Sequence, residues 1–219
     1  NVAPRVIITE GGSMTDIYVY NQLTKDNNGN IKVDQNGNLG ITSSNTPVKV
    51  GNLDADFNLG WTNHFTYKGI DLGVVLSARV GGLAYSATQG ILDYYGVSET
   101  SATARDNGGI PINNGKVNAQ KYYQTIGTGE GGYGRYYLYS ATNVRLQELS
   151  LNYTLPKRWF KNVANVTLGI VGRNLWMIYC KAPFDPELSA STSSNYYMNV
   201  DYFMQPSLRN FGFNVKVQF

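Results

Sequence analysis

The chain has 219 residues, 42% of them hydrophobic, and only 15% charged, well below the roughly 25% usual for soluble domains. Lys and Arg exceed Asp and Glu by three, with no basic cluster, so a nucleic-acid partner is not indicated. One cysteine, Cys180, excludes an internal disulfide and a cysteine-built metal cluster, and no run approaches the roughly 18 apolar residues of a membrane helix. The 17 Tyr and 24 Gly suit a β-rich protein with aromatic belts and long loops.

Residues 1–56 read mostly as a connection, with Ile17-Tyr-Val-Tyr20 as the upper end of an earlier strand. Asn1-Val-Ala-Pro-Arg5 is neither a charged leader nor an apolar segment, so the start reads as the middle of something longer. Alternation begins at Phe57. Phe57, Leu59, Trp61, Phe65 and Tyr67 share one face; Asn58, Gly60, Thr62, His64 and Thr66 share the other. Lys68-Gly69 predicts a tight turn into a second strand, whose apolar face is Ile70, Leu72, Val74, Leu76, Ala78 and Val80. Residues 57–80 are thus a β-hairpin, and 81–141 a long loop. A second hairpin spans 142–175. Its first strand changes apolar phase between Leu146 and Leu149, which predicts a β-bulge. Residues 176–206 form another loop, and 207–219 the final strand, with Phe211, Phe213, Val215, Val217 and Phe219 on one face.

Short turns alternating with long loops are the outer-membrane barrel pattern, short side periplasmic. Counted on that basis, the carboxyl terminus is periplasmic and the Tyr-rich loops are extracellular. The fold class is all-β: an antiparallel transmembrane β-barrel segment. About five or six strands cannot close a barrel, for which about eight is the usual minimum. Either strands are hidden in the loops or the chain is one piece of a larger barrel.

Several stretches, in order, resemble the C-terminal part of the SusC/RagA family of TonB-linked outer-membrane transporters. Gly51-Asn-Leu-Asp-Ala-Asp-Phe-Asn-Leu-Gly60 resembles GNPxPDFxxG, and Phe65-Thr-Tyr-Lys-Gly-Ile-Asp-Leu72 resembles FxYKGFDL. Ala141-Thr-Asn-Val-Arg-Leu-Gln-Glu-Leu-Ser-Leu-Asn-Tyr-Thr-Leu-Pro156 is similar to YxRLRxLSLxYxLP. Gly172-Arg-Asn-Leu-Trp176 resembles GxNLxT, and Phe184-Asp-Pro-Glu187 resembles FDPE. The ending from Arg209 resembles the family's last strand. The resemblance implies the last strands of a barrel of about 22 strands with a plugged lumen. It also implies a SusD-like surface lipoprotein as partner, TonB acting through a region not in this sequence, and oligosaccharide or oligopeptide cargo. Plug and earlier strands have no counterpart here. The closing Phe219 with its alternating aromatics resembles the signal read by the barrel assembly machinery. One departure concerns the family's DxNxDG-like stretch. It reads Asp34-Gln-Asn-Gly-Asn-Leu39 here, so a Ca²⁺ site at Asp34, Asn36 and Asn38 lacks carboxylates and the turn glycine. A solvated hairpin loop is the expectation, and no cofactor is assigned.

No catalytic constellation appears. His64, the single histidine, lies on a polar strand face, and Gly127–Gly134 lacks the GK[ST] ending of a phosphate loop and reads as a flexible loop. The candidate contacts to substrate or partner are Tyr94, Tyr95, Arg105, Asp106, Tyr122, Tyr123, Tyr196 and Tyr197. Tyr has a flat apolar face and a polar tip, so it suits stacking on sugars or packing on peptide, and equally packing within a loop. Arg79, Arg173 and Lys216 fall on polar strand faces and are expected to pair with acidic groups of the plug or barrel wall. Two other readings stay open: a small complete outer-membrane barrel acting as adhesin or pore, and a secreted carbohydrate-binding β-sandwich.

Overall fold

The computed structural model describes residues 3–129, 132–188 and 199–218. In chain order the elements are β1 (Arg5–Val6), β2 (Asp16–Leu23), β3 (Ile41–Asn52), β4 (Phe57–Tyr67), β5 (Ile70–Val80) and β6 (Leu83–Ser86). Next come α1 (Ala87–Tyr94), α2 (Glu99–Asp106), β7 (Ile110–Ile112), β8 (Gly115–Val117), α3 (Ala119–Gly127) and β9 (Leu138–Ser140). The last are β10 (Asn143–Thr154), β11 (Asn165–Cys180), β12 (Val200–Asp201) and β13 (Asn210–Gln218). They fall into two units, which the chain enters alternately: Asn1–Asp54, Gly82–Ser140 and Pro186–Gln205 make one; Ala55–Gly81, Ala141–Asp185 and Pro206–Phe219 make the other.

The second unit is one antiparallel sheet in the order β13-β11-β10-β5-β4. Its registry aligns the apolar positions of all five strands. Phe65 faces Leu72, which faces Leu151, then Ile170, then Phe213. One step along, Tyr67, Ile70, Tyr153, Leu168 and Val215 form the next row of the same face. Apart from the half-buried Leu72 these side chains are exposed: Phe65 is 52% accessible and Phe213 68%, with Phe211 beyond them at 80%. Soluble proteins seldom leave so large a contiguous apolar face open to water. The opposite face carries rows such as Thr66, Asp71, Asn152, Gly169 and Asn214. There Arg173 Nε donates to Glu148 Oε2 at 2.8 Å, and His64 lies 3.9 Å from Asp71.

The β4–β5 turn has Lys68 at φ +46° and Gly69 at +84°, the two left-handed residues that a two-residue hairpin matched to strand twist requires. β10 bulges between Leu146 and Glu148, where the apolar phase changes. β11 extends past the expected end at Leu175 to Cys180. Asn174 at φ +53° takes up an extra residue, after which Trp176 pairs with Leu146 and Tyr179 with Val144. The bulge breaks the alternation, which is why sequence pattern stops short of the true strand end.

The first unit corrects three expectations. Ile17–Tyr20 belongs to β2, the middle strand of a separate sheet β1-β2-β3, not to the five-stranded sheet. Residues 81–141 are not a plain loop but hold three short helices. Each helix opens on a side-chain cap: Ser86 accepts from the Gln89 amide, Ser98 from the Ser101 amide, and Asn118 from the amides of Gln120 and Lys121. Their core gathers Leu23, Leu39, Tyr85, Ile112, Ile126 and Tyr137. Nor are the described residues of 127–134 simply a flexible loop: Gly127 closes α3, Tyr85 Oη donates to the Gly132 carbonyl at 2.9 Å, and Gly134 opens a 3-10 turn.

Candidate functional site

The helices place the candidate side chains. Antiparallel pairing of β6 with β9 carries the chain into α1, and α1 packs on α3 at Gly127. A Cβ there would lie 2.8 Å from the Gly90 carbonyl oxygen and 3.1 Å from Tyr94 Cβ, so only glycine permits this approach. Beside that contact, a cleft of about 290 Å³ is lined by Asp93, Tyr94, Tyr95, Arg105, Gln120, Tyr123 and Gln124, among others. Four of the sequence candidates therefore meet: Tyr94, Tyr95, Arg105 and Tyr123. Tyr94 and Tyr95 stand edge to face with centroids 5.1 Å apart, and Tyr122 and Tyr123 likewise at 5.3 Å.

The remaining candidates separate from this group. Tyr122 is not part of the cleft wall; like Tyr123 it packs against the hydrophobic core, and burial pushes its phenol up from the ordinary range. Asp106 ends α2 and is not part of the cleft wall. Tyr196, Tyr197 and the closing Phe219 lie outside the described residues.

Asp93 was not singled out by sequence, yet it organises the site. The residue is 4% exposed, and its Oδ1 accepts from Gln89 Nε2 (2.8 Å), Ser98 Oγ (2.5 Å) and Thr100 Oγ1 (2.9 Å). Around it, burial foremost and the Asp93 charge second push Tyr137 well above the ordinary phenol range and Tyr139 to about 12. Tyr137 is itself only 2% exposed. Arg105 is fixed by Nη1, which donates to the Gly96 carbonyl at 2.9 Å and reaches Ser101 Oγ at 3.4 Å. An acid followed by Ser98 and Thr100 in the next helix cap is the signal in the sequence, but it is too common to single out.

The Asp34 stretch is a hydrogen-bonded turn, and it is one of a pair. Asp26-Asn-Asn-Gly-Asn30 and Asp34-Gln-Asn-Gly-Asn38 repeat the same geometry, a repeat visible in the sequence. Asp26 Oδ1 accepts from the amides of Asn28 and Asn30, and Asp34 Oδ1 from those of Asn36 and Asn38. The backbone bonds from Asn30 and Asn38 foremost hold both carboxyls below the usual range. An ammonium already faces the second turn, since Lys121 Nζ donates to the Asn36 carbonyl. No group of three or more His, Cys, Asp or Glu side chains suited to a metal occurs among the described residues.

In the sheet unit, two motif stretches distant in sequence meet. Arg145 Nη2 lies 2.7 Å from Asp185 Oδ1 and Nη1 3.3 Å from Oδ2, with side chains only 5% and 8% exposed. Ser207 Oγ donates to Asp185 Oδ2 at 2.6 Å, and Arg145 Nε donates to Asn143 Oδ1 at 3.3 Å. This fork ties the strand β10 to the stretch that follows β11 and, through Ser207, to the approach to β13.

No family model matches the chain. A TonB-dependent receptor P3 of Formosa agariphila is 26% identical over 201 residues, which is 89% of this chain and 19% of the receptor. The RagAB peptide importer in its closed-closed state matches with a TM-score of 0.57 at 18% identity, over 92% of this chain and 22% of that one. Its open-open state matches at 0.54 and 16%, over 93% and 22%. The structural matches show likeness of fold. The similarity is distant but covers most of the chain, and the chain spans about a fifth of the length of these proteins. The relatives are receptors and transporters, not enzymes.

Proposed function

We propose that the chain is part of a SusC/RagA-like, TonB-dependent importer of the bacterial outer membrane, taking up oligosaccharides or oligopeptides. The observation that carries this reading is the apolar face that runs through all five strands of the sheet, exposed on the flanking strands and half-buried along most of β5. A strand wall with one apolar and one polar side is what lipid on the outside and a polar lumen on the inside require. Among the described residues, β4 and β13 each pair on one side only. In lipid each unpaired backbone group costs several kcal/mol or so, so further strands flank both edges and the wall is a segment of a larger barrel. On this reading the carboxyl terminus is periplasmic, and the first unit belongs to the extracellular side. The partners are a SusD-like surface lipoprotein over that side, TonB through other parts of the transporter, and the plug and remaining strands. β13, with Phe211, Phe213, Val215 and Val217 exposed, is the element offered to the barrel assembly machinery.

The test is uptake of fluorescently labelled oligomers by cells expressing the complete transporter. Uptake should collapse when TonB is deleted or the proton-motive force is dissipated. Uptake that persists unchanged in both conditions contradicts an energised importer and favours a passive pore.

A further inference from the structure

We infer that the cleft between α1, α2 and α3 is a subsite for one ring of a neutral oligosaccharide. This rests on the import reading above and narrows its cargo. A cleft of about 290 Å³ lies at the small end of the roughly 300–1,000 Å³ of ligand pockets, so it holds a ring-sized group rather than a folded partner. Three Tyr rings supply flat apolar faces. The polar groups between them are balanced in charge and mixed in hydrogen-bonding sense.

Arg105 is positioned through Nη1 alone; its Nε and Nη2 have no partner among the described residues. Gln120 and Gln124, one turn apart on α3, are exposed and bring an amide donor and acceptor each. Asp93 contributes a fixed negative charge to the wall. A sugar hydroxyl both donates and accepts, so it can satisfy an arginine on one side and an amide oxygen or carboxylate on the other. A carboxylate-bearing peptide end would meet Asp93, and an amino end would meet Arg105. The balance therefore favours an uncharged, hydroxyl-rich ligand over a peptide.

The experiment is isothermal titration of the full-length transporter in detergent. The probes are neutral malto-, cello- and laminari-oligosaccharides, and tryptic casein peptides as the competing class. Tyr95→Ala and Gln124→Ala both alter exposed side chains, and circular dichroism checks that each folds. Binding of one sugar class is expected, roughly three- to tenfold weaker in each variant. Sugar binding unchanged in both variants overturns the cleft assignment, and so does binding of peptides without sugars. In either case, uptake that still collapses with the proton-motive force leaves the import reading standing. Sugar binding weakened as expected, with no energised uptake, contradicts the import reading and keeps the cleft. Binding of neither class overturns the inference.

Discussion

Arg145 and Asp185 show how much can rest on one residue pair. Both are nearly fully buried and fork-bonded, so removing one partner strands the other charge. Arg145→Ala should destabilise the protein by about 3–5 kcal/mol, measured as urea unfolding of the purified transporter; an effect within about 0.5 kcal/mol of zero contradicts the pairing. Asp16 makes the opposite use of charge. The Lys49 ammonium at 2.5 Å and the Ser13 amide hold its carboxyl below the ordinary 3.8. Because the folded value is the lower one, its stabilisation is complete above the ordinary value and is lost as pH falls through the folded value. Asp26 and Asp34 add in the same direction. Acid titration followed by limited proteolysis should therefore open residues 13–52 first, and Asp16→Asn should flatten that dependence. Little of this was legible in the sequence. Arg145 and Asp185 each stand in a motif, but nothing in either motif names the other as its partner, because the contact is made by the return of a distant segment.

At the scale of elements, strands were readable where one face is uniformly apolar and helices were not. β4 and β5 follow a period of two with one exception each, Asn63 and Val75, whereas α1 and α2 are eight residues each and carry too short a stripe to register. The caps of α1, α2 and α3, namely Ser86, Ser98 and Asn118, were present as signals but without a helical period after them. The same limit explains why the Tyr candidates could be named but not sorted: Tyr122 and Tyr123 both pack against the core, and the sequence does not tell which of them also lines the cleft. Two outcomes follow for these elements. Gly127→Ala should cost about 1–3 kcal/mol, since its Cβ meets the Gly90 carbonyl oxygen at 2.8 Å; protease sensitivity within 87–127 should rise, and unchanged sensitivity would contradict the close helix contact. The buried phenol of Tyr137, pushed above its ordinary 10 by burial and by Asp93, contributes stability fully below that value and loses it as pH rises beyond. Alkaline unfolding of the helical unit should coincide with late tyrosine ionisation, seen in ultraviolet absorbance, and Tyr137→Phe should remove the coincidence.

For the whole molecule, the governing observation is a sheet with one apolar, largely exposed face and one polar face. Composition and alternation made that legible, because low charge combined with period-two strands suits a wall between lipid and water far better than a water-soluble core. The existence of a separately packed first unit was not legible, since its core is assembled from 23, 39, 85, 112, 126 and 137, positions spread over much of the chain. The two-solvent account makes its strongest demand on β13, where Phe211, Phe213, Val215 and Val217 alternate with Gly212, Asn214 and Lys216. Single cysteines placed in turn from 211 to 217 of the full-length protein, labelled with a fluorophore and reconstituted in vesicles of brominated lipid, read each position's solvent directly. The account predicts quenching with period two, strong at 211, 213, 215 and 217 and weak between them. Uniform quenching, or none at any position, would contradict a lipid-facing wall.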